Sequence, residues 1–285
     1  EPLPPMSEEE MEFERFQTMA VFSIREDLDS IMNNKGPANL MKQTDELVRR
    51  FGTLYHKIHF NQNLRSPEDY VYKHALNVAI LAALIANRAG LGIMEKTEVV
   101  VAALLHDLGK LSLTPDLCGK TENLDVEEKT KIAKAVISGI DKISNAFQMP
   151  SGVKGMLMQL CQFLYLPENA PAKMSSAVKI LLVANAYDEY TSMQLGIDPH
   201  SEVEAVRMLM KNSELYDPQI VEYLLNSVLI LYPGVCVELT NSEKGLVIRE
   251  NEKDIEEIPM DIRKELEFYP VTTMQQVLDL ALVEV

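Results

Sequence analysis

"ALLHDLGK", residues 103–110, ends an apolar helical run and sets a histidine and an aspartate side by side, just before a glycine and a lysine. Adjacent helix residues point about 100° apart and do not normally share a partner, yet at a helix end both can reach one metal ion. A metal site of this kind needs imidazole and carboxylate ligands converging from several helices, so the reading of this stretch decides the fold. His106 and Asp107 supply two ligands, and His74, midway along the preceding long helix, supplies a third if the two helices pack antiparallel. The structural alternative is that Gly109 is a C-terminal cap and that His106 and Lys110 face the negative end of a helix dipole. Both readings fit these residues taken alone.

Outward from this stretch the pattern is helical, with apolar residues at three- and four-residue spacing and capping residues at the segment starts. Ser7 opens a first helix and Pro37 marks a second that runs toward His59. "SPEDYVYKHALNVAILAALIANRAG" has Ser66 as a cap, Pro67 at the first helical position and Gly90 past its end. Further helices are predicted over 95–108, 125–147, 152–165, 174–192, 201–212 and 217–231, the last two opened by Ser201 and by Asp217 with Pro218. After residue 234, "VCVELTNSEKGLVIRE" alternates around a turn and reads as a β-hairpin, followed by a short helix from Thr272 or Thr273. The predicted fold is all-α, a helical bundle, in three parts: a helical N-terminal lead-in over 1–65, a central helical domain over 66–232, and a β-hairpin and helix extension over 233–285.

Composition narrows the function. Of 285 residues, 43 are acidic and 27 basic, a net charge of −16 that repels polyanions, so no nucleic-acid polymer is expected as a partner. Cys118, Cys161 and Cys236 are widely spaced, which excludes a disulfide framework and fits a reducing, cytoplasmic setting. No apolar run approaches the roughly 18 residues of a membrane span. The opening "EPLPPMSEEE" lacks an initiator methionine, as expected for a piece of a longer protein.

In order along the chain, "DYVYKHALNV", "AALLHDLGKL", "LDVEEKTKI", "VKILLVANAYDEYTS" and "YDPQIVEYLL" resemble the HD-GYP family of the HD superfamily, metal-dependent phosphodiesterases that hydrolyse cyclic di-GMP. The hairpin after "LYPG" also resembles the tail that often follows that domain. The resemblance implies an HD-type bundle in which the first metal is held by His74, His106 and Asp107, with Asn185 standing where the family has an aspartate. It implies that Lys110 meets a phosphate, beside Asp107 in the catalytic pair. The family's second metal fares worse: its histidine positions fall on Ala135 and within "GMLMQLCQF", and no histidine occurs between His106 and His200. Of its "GSGYP" loop only Tyr165 remains as a ligand-binding remnant, and its "RPYR" stretch reads "MQLGIDP".

Each ion of a binuclear site is worth several kcal/mol at the transition state, and about 1.4 kcal/mol is tenfold in rate, so losing one ion lowers turnover by orders of magnitude. The resemblance therefore implies either no cofactor or one weakly bound divalent metal (iron, manganese, magnesium or nickel). An ion pair between Asp107 and Lys110 is expected to stand in for the metal where it is absent. The reading that follows is a divergent domain with lost or strongly reduced hydrolysis, acting as a regulatory or protein-interaction module in bacterial signalling, with a protein partner and a nucleotide as a further ligand. The alternative is an active one-metal phosphohydrolase on a nucleotide or phosphate ester. His56 and His59 have ligand-like spacing without a third ligand, and His200 is expected to be exposed. Met156, Met158 and Phe163 are expected to fill the vacated space with core, Asp188 and Tyr187 to anchor their helix, and Arg49, Arg50 and Arg65 to be too scattered for a phosphate cradle.

Overall fold

A computed structural model describes residues 8–60, 62, 64–194, 198–230, 236–238 and 244–246. The fold is all-α. Its centre is α3 (Tyr70–Arg88), whose residues from Tyr70 to Asn87 are all buried except Lys73. A helix apolar on every side must be wrapped by others. Around it pack α1 (Glu8–Met32), α2 (Leu40–Arg50), α4 (Ile93–Leu105), α8 (Ser176–Thr191) and α10 (Pro218–Leu225). α6 (Val126–Ala146), α7 (Val153–Tyr165) and α9 (Glu202–Lys211) complete the bundle, with a short α5 (Pro115–Cys118) between α4 and α6. Residues up to Val228 form one compact unit, so the lead-in helices share the core of the central bundle. In the second unit, Cys236–Glu238 (β1) pairs antiparallel with Lys244–Leu246 (β2), where a hairpin was predicted. The helix expected from Thr272 lies outside the described residues.

Several boundaries follow the predicted punctuation. Asp125 and Glu128 form a reciprocal capping box at the start of α6, as do Ser201 and Glu204 at α9, and Asp217 caps α10 through the Gln219 amide. Gly90, at φ +73°, ends α3: the Leu91 amide reaches back to the Ala86 carbonyl and the Gly90 amide to Asn87. Other boundaries moved. α3 begins after Asp69 rather than at Ser66, because the Asp69 carboxylate accepts from the Ser66 amide (2.8 Å) and closes a turn ahead of the helix. α2 stops at Arg50, and Ile58 instead forms a parallel bridge with Val228, which also shortens α10.

The decisive shift is at the end of α4. The α-helix stops at Leu105, His106 is its C-cap, and the chain tightens into a 3₁₀ turn over Leu108–Ser112. Gly109 is not the cap of α4. It sits against α6, where a Cβ on Gly109 would lie 2.0 Å from the Ala135 carbonyl oxygen and one on Gly139 would lie 2.6 Å from the Gly109 nitrogen. Only two facing glycines allow backbones this close. Gly139→Ala is therefore expected to destabilise the fold by about 2 kcal/mol. Gly155→Ala, where a Cβ meets nothing within 4 Å, should stabilise α7 by up to ~1 kcal/mol. Urea midpoints of the two variants check the opposite signs.

Candidate metal centre

The tightening after α4 explains how two adjacent residues face one point. With the helix ended, Asp107 (φ −104°, ψ 9°) turns back beside His106, and both meet His74 from α3 and Asn185 from α8. His74 Nε2 lies 3.1 Å from His106 Nε2, and Asn185 Oδ1 lies 3.0 Å and 3.1 Å from these two atoms. Asp107 Oδ2 is 3.5 Å from His74 Nε2 and 3.7 Å from His106 Nε2. Ligands about 2.1 Å from one ion stand roughly 3.0 to 3.4 Å apart in octahedral or tetrahedral arrangements. His74 Nε2, His106 Nε2 and Asn185 Oδ1 have the spacing of one coordination shell, and Asp107 Oδ2 stands slightly wider of the two imidazoles.

Ring protonation follows from the outer partners. His106 Nδ1 is 2.7 Å from the Ala103 carbonyl, which only accepts, so Nδ1 carries the proton. His74 Nδ1 is 2.6 Å from Asp188 Oδ2 and likewise donates. Burial holds the His106 imidazole below its ordinary pKa and keeps it neutral. With Nδ1 of each ring taken up by an outer acceptor, both Nε2 atoms face the Asn185 and Asp107 oxygens. Such a cluster of acceptors needs a cation or a donor at its centre, and the residues present fit a single divalent ion.

The amide of Asn185 offers a second solution. As oriented, its Nδ2 is buried without a partner. A half-turn of the amide would put the NH₂ group at the same distances, with one N–H shared between the two Nε2 atoms. A carboxylate in this position has no such option.

Lys110 closes the centre on one side. Its Nζ is 2.6 Å from Asp107 Oδ2, 4.0 Å from Glu189 Oε1 and 5.7 Å from the Tyr165 ring centroid. Burial opposes ionisation of Asp107, but the Lys110 ammonium foremost outweighs it and holds the carboxyl at about 2. Burial raises the Glu189 and Tyr165 pKa values. Asp107 and Lys110 form an ion pair, three residues apart across the 3₁₀ turn.

Behind His74 stands a second layer built on Asp188. Its Oδ1 accepts from Arg65 Nη2 (2.7 Å), Gln62 Nε2 (3.0 Å) and Asn77 Nδ2 (3.0 Å). Arg65 is buried, with its guanidinium 5.5 Å from the Tyr70 ring, and Tyr70 stacks on His74. Asp188 does more than anchor its helix: it fixes the tautomer and plane of His74. The signal was in the sequence, since Asn185 and Asp188 share one face of α8 and His74 and Asn77 one face of α3, each three apart.

The core expected on α7 needs correction. Met156, Met158 and Phe163 are half-buried, and the α7 residues that reach the core are Val153, Leu157, Leu160, Cys161 and Tyr165, one helical face offset from them. His200 is partly exposed and bonded to Glu122 at 2.8 Å. Among the described residues His56 and His59 join no cluster with metal-ligand spacing.

The depressed pKa of Asp107 sets a pH dependence. Its stabilising effect is present above the ordinary value of 3.8 and is lost as pH falls toward about 2. Asp188, also held low by Arg65 once burial is outweighed, adds in the same direction. Unfolding free energy from urea titrations should fall by about 2 kcal/mol or more between pH 5 and pH 2.5. Arg65→Met, which leaves Asp188 buried and unpaired, should cost about 3 to 5 kcal/mol at neutral pH.

Residues 240–284 match the Lon protease (S16) C-terminal proteolytic domain, a stretch almost wholly outside the described residues. A cyclic di-GMP phosphodiesterase of Pseudomonas aeruginosa is 22% identical over 202 residues, covering 67% of this chain and 47% of that protein, so the chain spans about half the length of this curated relative. Residues 71–147 match the HD domain, and that match contains His74, His106, Asp107 and Lys110.

Proposed function

We propose that this chain is a divergent HD-GYP-type domain of bacterial cyclic di-GMP signalling, a cytoplasmic regulatory module that engages a protein partner and has lost efficient hydrolysis. The observation that carries this reading is closure. His74, His106, Asp107, Lys110 and Asn185 are all at most 4% exposed. A dinucleotide needs a cleft of several hundred Å³ opening on the reacting groups. Here Lys110, the residue proposed to meet phosphate, spends its charge on Asp107, and Tyr165 packs over it at the edge of the same centre.

In this reading Asn185 does structural work. Its amide ties α3, α4 and α8 by donating to the two imidazoles, the role an ion would otherwise perform. Asp188 and Arg65 keep His74 in the tautomer that accepts this bond.

A second reading is favoured by the coordination-like spacing of the four acceptor atoms: a one-metal phosphohydrolase on a nucleotide or phosphate ester, with His74, His106, Asp107 and Asn185 as ligands. The ion would act as a Lewis acid toward a phosphoryl oxygen. Lys110 would leave Asp107 to hold the phosphate, and Tyr165 would move aside to admit it.

Metal analysis separates the two. Full-length protein prepared without chelators is expected to hold under ~0.1 equivalent of transition metal, to keep its melting temperature in EDTA, and to show no turnover of cyclic di-GMP with manganese or iron. Asn185→Asp, which restores a charged ligand and removes the amide donor, should raise metal affinity by roughly 10 to 100-fold and make the melting temperature depend on the ion. One equivalent of metal in the wild type, with turnover that Asp107→Ala abolishes, would reverse the assignment.

A further inference from the structure

α1 buries one face, through Phe13, Ile24, Leu28 and Ile31, and leaves the other uncovered. On the open face Met19 is 75% and Phe22 67% exposed, among the largest apolar exposures of the described residues. These two lie near the middle of a helix of 25 residues, about 37 Å long. Their neighbours along the stripe are Glu12, Arg15 and Glu26, all exposed. Residues 12, 15, 19, 22 and 26 recur with alternating steps of three and four, the spacing of a two-helix seam.

Between residues 15 and 26 the stripe is complementary to itself when reversed. Turning a second copy of α1 antiparallel about the point between residues 20 and 21 puts Met19 against Phe22 of the other copy, and Arg15 against Glu26 of the other copy, each twice. Neither Arg15 nor Glu26 makes an ion pair within the described residues, whereas Glu12 is paired with Arg50 at 3.1 Å. Beside the seam a groove of about 320 Å³ runs between α1 and α2, lined by Phe16, Met19, Ala20, Lys42, Glu46 and Leu47. Met19 forms its lip, and Ser23, Asn39 and Gln43 share the lining, so the aromatic ring of the opposing Phe22 has a partly apolar recess to enter.

We propose that the outer face of α1 is the interface of a two-fold symmetric homodimer, with Met19 and Phe22 at its core and reciprocal Arg15–Glu26 pairs at its flanks. A chain with net charge −16 repels its own copies, so indiscriminate association is disfavoured. The reciprocal pairs supply local attraction and select the antiparallel orientation, since a parallel, in-register pairing would set Arg15 against Arg15 and Glu26 against Glu26.

Charge reversal in the full chain tests both the surface and its polarity. By sedimentation equilibrium the wild type is expected to be dimeric at ~10 µM, and Arg15→Glu or Glu26→Arg alone should raise the dissociation constant at least ~10-fold, because each change creates two like-charge contacts. The double variant Arg15→Glu/Glu26→Arg should return to within ~3-fold of wild type, since the pairs are re-formed with signs exchanged. Phe22→Asp, at an exposed position, should give a monomer with unchanged helical circular dichroism. A wild type that stays monomeric at ~100 µM, as expected if another partner covers the stripe, would overturn the proposal. So would a double variant weaker than either single, or a dimer that survives Phe22→Asp.

Discussion

The helices meet around a carboxylate that never reaches water. Asp188 takes hydrogen bonds from Arg65, Gln62, Asn77 and His74, joining α8, α3 and the segment before α3. A buried carboxylate left alone would cost several kcal/mol, and removing any partner exposes that cost. Its ionised form is what obliges His74 to carry a proton on Nδ1, and that bond is what turns Nε2 toward the centre. Every statement about the centre, whether an ion or an amide fills it, starts from this one charge.

The bundle was largely legible because its signals are local. Capping residues at Asp125, Ser201 and Asp217, and the glycine past α3, act within a few residues and landed where the chain turns. The convergence of His74, His106, Asp107 and Asn185 was legible only through resemblance, since the spacing of a ligand pair does not say which distant helix completes it. Gly109 shows the limit most clearly. A glycine after an apolar helix looks like a cap, and nothing in its neighbourhood reveals that Gly139, on another helix, needs the same space. Arg65 is a similar case: an isolated arginine carries no sign that a buried aspartate more than a hundred residues away will claim it. On α7, which residues face inward depends on the rotation of the helix, and a shift of one position moves Met156 and Phe163 to the rim and Leu160 and Cys161 to the core.

The 3₁₀ turn after α4 links the fold to the centre. Had the α-helix continued through Asp107, its carboxylate would point about 100° from the His106 ring. Ending the helix at Leu105 and tightening the chain lets both face inward, and the tight turn is held by the glycine contact with α6. A helix that carries no ligand itself thus sets the position of two.

Charge balance decides what the centre asks for. Its fixed charges are Asp107 and Asp188 on one side and Lys110 and Arg65 on the other, with both pairs at ion-pair distance. Glu189 is pushed by burial toward its neutral form. The sum is near zero with no ion present. A carboxylate in place of the Asn185 amide would leave one negative charge uncompensated in a site of low dielectric, a cost of several kcal/mol that a divalent cation would relieve. The neutral amide removes that demand and at the same time brings a donor that two imidazole lone pairs can share. An amide in place of a carboxylate therefore differs in both the charge and the hydrogen-bonding sense it gives the centre, and both differences lessen the demand for a cation.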